Sequence, residues 1–192
     1  AHKISEVTAI DTYRNGTFVG GSRYDYTLNA NSPVVSKCYS ILPNSTRTPI
    51  LEMEVDSING YDAYGNIREY KRKDGTPVTI IWSSNHQLPV LEITGKTYNE
   101  VKDIAKKYNK SVVTLENMEN AYLNYLKSFH EMFIKEKIMA TAYIYSAWQT
   151  VSHIITPNGY MTNYTYDNYG RLESVKDANG TLKKYSYNYK NK

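Results

Sequence analysis

The chain has 192 residues, 41% of them hydrophobic and 22% charged, which suffices for one substantial domain or two small ones and excludes a disordered polymer. Its net charge of +4 is spread among interleaved acids and bases, with Lys71-Arg72-Lys73 as the only basic triplet, so no nucleic-acid footprint is present. The single cysteine, Cys38, excludes an internal disulfide framework and a multi-cysteine metal site, and no apolar run is long enough to insert into a membrane.

In chain order, Asn15-Gly16 is the first of five Asn-Gly or Asp-Gly pairs, the others ending at Gly60, Gly75, Gly159 and Gly180. Such pairs supply the positive φ of tight hairpin turns, so they predict turns rather than phosphate-cradling loops. Cys38 falls on a predicted strand, where a structural, partly buried thiol outranks a reactive one. Val78 to Trp82 predicts another strand, leaving the Asp74-Gly75 turn. Thr97-Tyr98-Asn99-Glu100 fits a capping box, and Tyr98, Val101, Ile104, Ala105 and Tyr108 form the apolar stripe of the helix it opens. A second helix is expected from near Thr114, with Leu115, Met118, Tyr122, Tyr125, Phe129 and Met132 as its stripe. Met139 to Tyr145 is apolar on both faces and predicts a central strand. Tyr160, Thr162, Tyr164 and Tyr166 alternate with polar neighbours, as do Tyr185, Tyr187 and Tyr189, predicting half-buried antiparallel strands.

A longer pattern overlies these elements. Tyr61-Asp62-Ala63-Tyr64-Gly65-Asn66-Ile67, followed by Asp74-Gly75, recurs 105 positions later as Tyr166-Asp167-Asn168-Tyr169-Gly170-Arg171-Leu172, followed by Asn179-Gly180. A repeated segment of this kind is one structural unit that buries its apolar face only against a neighbour. The motif resembles the YD repeat of Rhs and teneurin-type proteins; Thr156-Pro157-Asn158-Gly159 to Tyr166 resembles a further copy, and Asn15-Gly16-Thr17 with Tyr24-Asp25-Tyr26 a degenerate one. The resemblance implies an antiparallel sheet of successive hairpins within a very large secreted or surface protein. It implies encapsulation, adhesion or carbohydrate binding, and Tyr61, Asp62, Gly65, Gly75, Tyr166, Asp167, Gly170, Arg171 and Gly180 as the repeat's structural residues. The helices match nothing in the repeat.

Candidate chemistry is sparse. His2, His86, His130 and His153 lack metal-ligand spacing from one another, and Ser83-Ser84-Asn85-His86 lies outside any nucleophile elbow. Asp62 and Asp167 can be read as calcium ligands or as side chains bonding their own turns; the turn role is favoured because neither has an acid at EF-type spacing. The tyrosines, 20 against only 3 phenylalanines, carry the one binding hypothesis. Tyr160, Tyr164 and Tyr166, with Trp82 and Trp148, form a candidate platform for stacking sugars; alternatively the Tyr stripe is the packed face of the sheet, covered by the helices, and that reading is favoured.

The expected fold is mainly β (α+β): an antiparallel YD-repeat hairpin sheet with an inserted pair of helices. Its segments are a β segment over 1–96, a helical insertion over 97–138 and a second β segment over 139–192, together one compact unit. The expected role is a non-enzymatic structural or adhesive module of a larger exported bacterial protein, its export signal outside this chain, with a carbohydrate-binding module as the alternative. No cofactor or metal is expected; the expected partners are the rest of the parent polypeptide and carbohydrate or another surface protein.

Overall fold

The computed structural model describes residues 6–29, 32–43, 46–56, 59–116 and 122–187. Among them are twelve strands and three helices, and every strand pairing is antiparallel. The mainly antiparallel β fold expected from the hairpin signals is therefore present. The chain divides into two compact units, Ala1–Thr79 and Ile80–Lys192.

The first unit holds β1 (Ala9–Arg14), β2 (Thr17–Asn29), β3 (Ser32–Ile41), β4 (Pro49–Glu54), β5 (Glu69–Arg72) and the start of β6 (Pro77–Trp82), paired in sequence order. One face of its β1–β4 portion is charged and internally paired: Arg23 meets Asp11 at 2.7 Å, Lys37 meets Glu54 at 3.2 Å, and the Tyr39 hydroxyl donates to Asp25 at 2.8 Å. Fully buried apolar side chains are few, among them Ile41, Val55, Tyr61 and Val78. Gly60 corrects the sequence reading. Its φ lies outside the left-handed region, and a Cβ there would overlap the Asp56 carbonyl oxygen and the Val55 side chain. The residue is glycine because the backbone passes too close for anything larger, not because it turns a hairpin.

The second unit continues with β7 (Pro89–Thr94), α1 (Tyr98–Lys107), α2 (Val112–Glu116), α3 (Tyr122–Lys135), β8 (Met139–Tyr145), β9 (Val151–Ile155), β10 (Met161–Tyr166), β11 (Leu172–Asp177) and β12 (Gly180–Lys184). The capping box opens α1 as expected: the Thr97 hydroxyl accepts from the Glu100 amide at 3.3 Å, and Glu100 accepts from the Thr97 amide at 2.8 Å. The predicted second helix is two helices, α2 and α3. Met118 lies outside the described residues, as do the side chains of Leu115 and Tyr122. β12 ends at Lys184, so the strand predicted through Tyr185 and Tyr187 stops short, although the Tyr185 amide still reaches the Glu173 carbonyl at 2.8 Å; Tyr189 lies outside the described residues.

The core of this unit joins Leu91 and Ile93 of β7, Ala140, Ala142 and Ile144 of β8, and Ile155 of β9 to Val101 and Ala105 of α1 and Leu126, Phe129, Met132 and Phe133 of α3. The two alanines of β8 leave room for the large rings of α3. Burial of these side chains at ~1.5–3 kcal/mol each is the main stabilising contribution to the unit. His130 ties the layers together, its Nε2 sitting 2.8 Å from the Ala140 carbonyl oxygen while the residue is buried.

Candidate functional site

The repeated motif is a hairpin turn built from its own side chain. Asp167 Oδ1 accepts from the amides of Tyr169 and Arg171 at 2.9 and 3.0 Å, the Gly170 amide bonds the Asp167 carbonyl at 3.0 Å, and Gly170 takes a φ of 74°. Asp62 does the same, accepting from Tyr64 and Asn66 at 2.9 and 2.8 Å, with Gly65 at a φ of 86°. Arg171 Nη2 closes on Asp167 Oδ2 at 2.6 Å. Arg171 above all, with the Arg171 and Tyr169 amides, holds the Asp167 carboxyl below the usual carboxylate range.

Two further copies of this turn escaped the sequence reading. At Ser146–Gln149 the Ser146 hydroxyl accepts from the Trp148 amide at 3.1 Å, the Gln149 amide bonds the Ser146 carbonyl at 3.0 Å, and Gln149 takes a φ of 60°. At Ser83–His86 the His86 amide bonds the Ser83 carbonyl at 2.8 Å with His86 at a φ of 57°. At Ser146 the serine hydroxyl replaces the aspartate as acceptor of the turn amide, and in both turns a side-chain-bearing residue replaces the glycine. The signal that finds the first of them is a 21-residue offset: Tyr145, Tyr166 and Tyr187 are evenly spaced.

Those tyrosines share one task. The Tyr145 hydroxyl donates to the Pro89 carbonyl, Tyr166 to Val151 and Tyr187 to Leu172, each at 2.8 Å. In each case the acceptor is the first residue of β7, β9 or β11, the strand running beside the tyrosine. A residue bulges out of the ladder beside the first two, where the β8–β9 and β10–β11 registers shift, which increases local twist. Tyr61 locks in the same manner onto the Val35 carbonyl.

The helices do not cover the tyrosine face. Met161 of β10 packs on the helical core with Ile155, and alternation sets Tyr164 and Tyr166 on the opposite face. The packed-face expectation is thereby corrected: the dry face is made of Ala, Ile and Met, which leave no hydroxyl to satisfy, while the tyrosines take the face where each hydroxyl can reach a partner or water. Trp148, Tyr164 and Tyr166 line one open hollow of about 600 Å³ with Ser146, Thr150, Ser152, Asp167, Asn168 and Gly170. Trp148 is 72% exposed. Trp82 and Tyr160 do not line this hollow; Trp82 is half-buried at the end of β6, and the Tyr160 hydroxyl bonds Asp177.

Other candidates resolve into structure. The Ser83 hydroxyl donates to Asn85 Oδ1 at 2.5 Å and accepts from the Leu88 amide at 3.1 Å, a turn arrangement and not a nucleophile–base pair. The half-buried Cys38 thiol has its pKa pushed up by burial and by Glu52, the direction opposite to that of a reactive cysteine. Among the described residues no group of three His, Cys, Asp or Glu side chains is placed to hold a metal ion, and no helix is long and apolar enough to cross a membrane.

No curated protein matches the sequence. Solved structures with some likeness are the TcdB2-TccC3-Cdc42 crystal structure (TM-score 0.43, 9% identity, 88% of this chain and 8% of that one) and TcdB2-TccC3 without its hypervariable C-terminal region (TM-score 0.43, 7% identity, the same coverage). A third is the Photorhabdus luminescens Tc holotoxin pore, with TM-score 0.39 and 10% identity over 91% of this chain and 9% of that one. The chain thus spans less than a tenth of their lengths, and likeness at these scores carries no argument about activity. The family model described as RHS Repeat matches residues 141–182. That interval contains the Ser146 and Asp167 turns and the bulges beside them, so the part of this chain that is similar to the RHS repeat is the part that carries the repeated turn.

Proposed function

We propose that this chain is a non-enzymatic structural module, adhesive in role, within a larger exported bacterial protein. One observation carries the reading: the repeat's polar groups are directed inward, to turn amides and to neighbouring-strand carbonyls, as in the Asp167 turn and the Tyr145, Tyr166 and Tyr187 locks. A catalytic site needs polar groups converging on a substrate; here they converge on the backbone. Repeat units of this kind interact mainly with their neighbours, so an added unit is tolerated. A second copy of residues 146–166 inserted after Tyr166 is expected to give a folded chain with more strand by circular dichroism; an unfolded product defeats the module reading. Antibody raised to the chain is expected to label intact source cells or culture supernatant in a band larger than 22.1 kDa, and a signal confined to the cell interior defeats the export reading.

The hollow between Trp148 and Tyr166 favours a second reading, carbohydrate binding. Exposed aromatic surface beside serine, threonine and asparagine groups suits a sugar's apolar face and its hydroxyls. A glycan array on the folded chain tests it: a saturable hit abolished by Trp148→Ala supports the reading, and a blank array removes it.

A further inference from the structure

We infer that the ligand of this hollow is an extended, uncharged, β-linked polysaccharide that continues out of it along the turn edge, with Trp148, which lines the hollow, and Tyr169, which lies outside its lining, stacking on sugars two residues apart. The inference rests on the carbohydrate reading above and adds Tyr169, the chain geometry and the charge of the ligand.

Trp148 and Tyr169 occupy the same position of the same turn, 21 residues apart. Each amide is held by the first side chain of its turn, Ser146 at 3.1 Å or Asp167 at 2.9 Å, and each is followed by a residue at positive φ. The two rings are the most exposed of the large hydrophobic residues in the second unit, at 72% and 75%. Exposing large rings at equivalent positions has a cost in solubility that a binding role offsets. Their turns join β8 to β9 and β10 to β11, so both lie at the same end of the strands. Two strand spacings separate them, roughly 9–10 Å. A fully extended β-1,4-linked hexose chain presents the same face every second sugar, over a repeat of that length. A helical α-linked glucan curves away and does not match two rings on a straight edge.

The hollow joins the two turns, since Ser146 and Trp148 come from one and Asp167, Asn168 and Gly170 from the other. Asp167 is the one charged side chain in its lining, and its carboxylate is held by Arg171 at 2.6 Å and by two amides. That compensation leaves neither a free anion for a cationic sugar nor a free cation for a uronate or sulfate. Arg171 also lies over the Tyr169 ring at 5.2 Å and the Tyr187 ring at 4.3 Å, which fixes Tyr169 before binding and lowers the ordering cost.

Calorimetric titration of the full chain with cello- and chito-oligosaccharides of two to six sugars tests this, with maltohexaose and polygalacturonate as controls. Affinity is expected to step up about tenfold once an oligomer reaches both rings, as for two linked contacts. Tyr169→Ala should abolish the step while weak binding of short oligomers persists, and both controls should fail to show it. Smooth length dependence, a step that survives Tyr169→Ala, or preference for either control overturns the inference while leaving the carbohydrate reading in place. Absence of binding to every glycan by a folded sample removes both.

Discussion

At the scale of single residues, the turn shows which chemistry the repeat requires and which it merely prefers. The first position must offer an acceptor two residues ahead of an amide, and aspartate or serine does so. The fourth must adopt positive φ, which glycine does without strain and Gln149 or His86 does at a cost. Nothing lies within 4 Å of a Cβ built on Gly170, so Gly170→Val should destabilise through the backbone alone, by about 1–2 kcal/mol. The reverse change, Gln149→Gly, relieves strain but loses the Gln149–Gln87 hydrogen bond at 3.1 Å and adds unfolded-state entropy. It should stabilise by no more than about 0.5–1 kcal/mol. Thermal melts of the two variants moving in opposite directions would establish that Ser146–Gln149 is the same turn; a loss of stability in Gln149→Gly would refute it. Tyr166→Phe removes a hydroxyl from a partly buried lock and should cost about 1 kcal/mol in denaturant titration. No change would mean that water replaces the hydroxyl at the Val151 carbonyl.

At the scale of elements, legibility in the sequence followed the chemistry. The turns at Asp62 and Asp167 were visible because Asp and Gly are the least costly solutions to two separate demands. Those at Ser83 and Ser146 were hidden because neither carries Asp or Gly: at Ser146 a hydroxyl accepts the same amide, and at both about 1 kcal/mol of strain is tolerated within a packed sheet. Helix α1 was legible through its capping box. The face that α3 covers was not, because Tyr164/Tyr166 and Met161/Ile155 are both partly apolar stripes, and only packing decides between them. That packing makes α3 sensitive at two points. Phe129 is fully buried, and Phe129→Ala should cost about 3–5 kcal/mol. His130 has its pKa lowered, chiefly by burial, so the folded state favours the neutral ring and protonation opposes folding. The Ala140 and Thr156 backbones pull the other way, as does the charge of Glu131. Stability from this residue is therefore complete above the ordinary histidine range of about 6.5 and is lost as pH falls below it. Chemical denaturation at stepped pH should show an acid limb that His130→Gln flattens. An unchanged limb would assign acid lability to other groups.

At the scale of the molecule, the two compact units have unequal means of stability. The second sets the helices on its sheet and buries Leu91, Ile93, Val101, Leu126, Phe129 and Phe133 completely. The first relies on strand pairing, surface ion pairs and few buried side chains. Exposed ion pairs contribute only ~0–1 kcal/mol each, so pairing there is the weaker support. Sub-global opening should then precede global unfolding, and a single melting transition should not describe the chain. Hydrogen exchange followed by mass spectrometry is the direct test: amides of β7 and β8 should exchange far more slowly than those of β2 and β3. Adding Phe129→Ala should speed exchange in β7 and β8 while leaving the first unit's rates unchanged, because its side chain belongs to the second unit's core alone. Equal protection across both units, or a coupled response to that substitution, would instead make the chain one cooperative body, with the paired strands carrying as much of its stability as the helical core does.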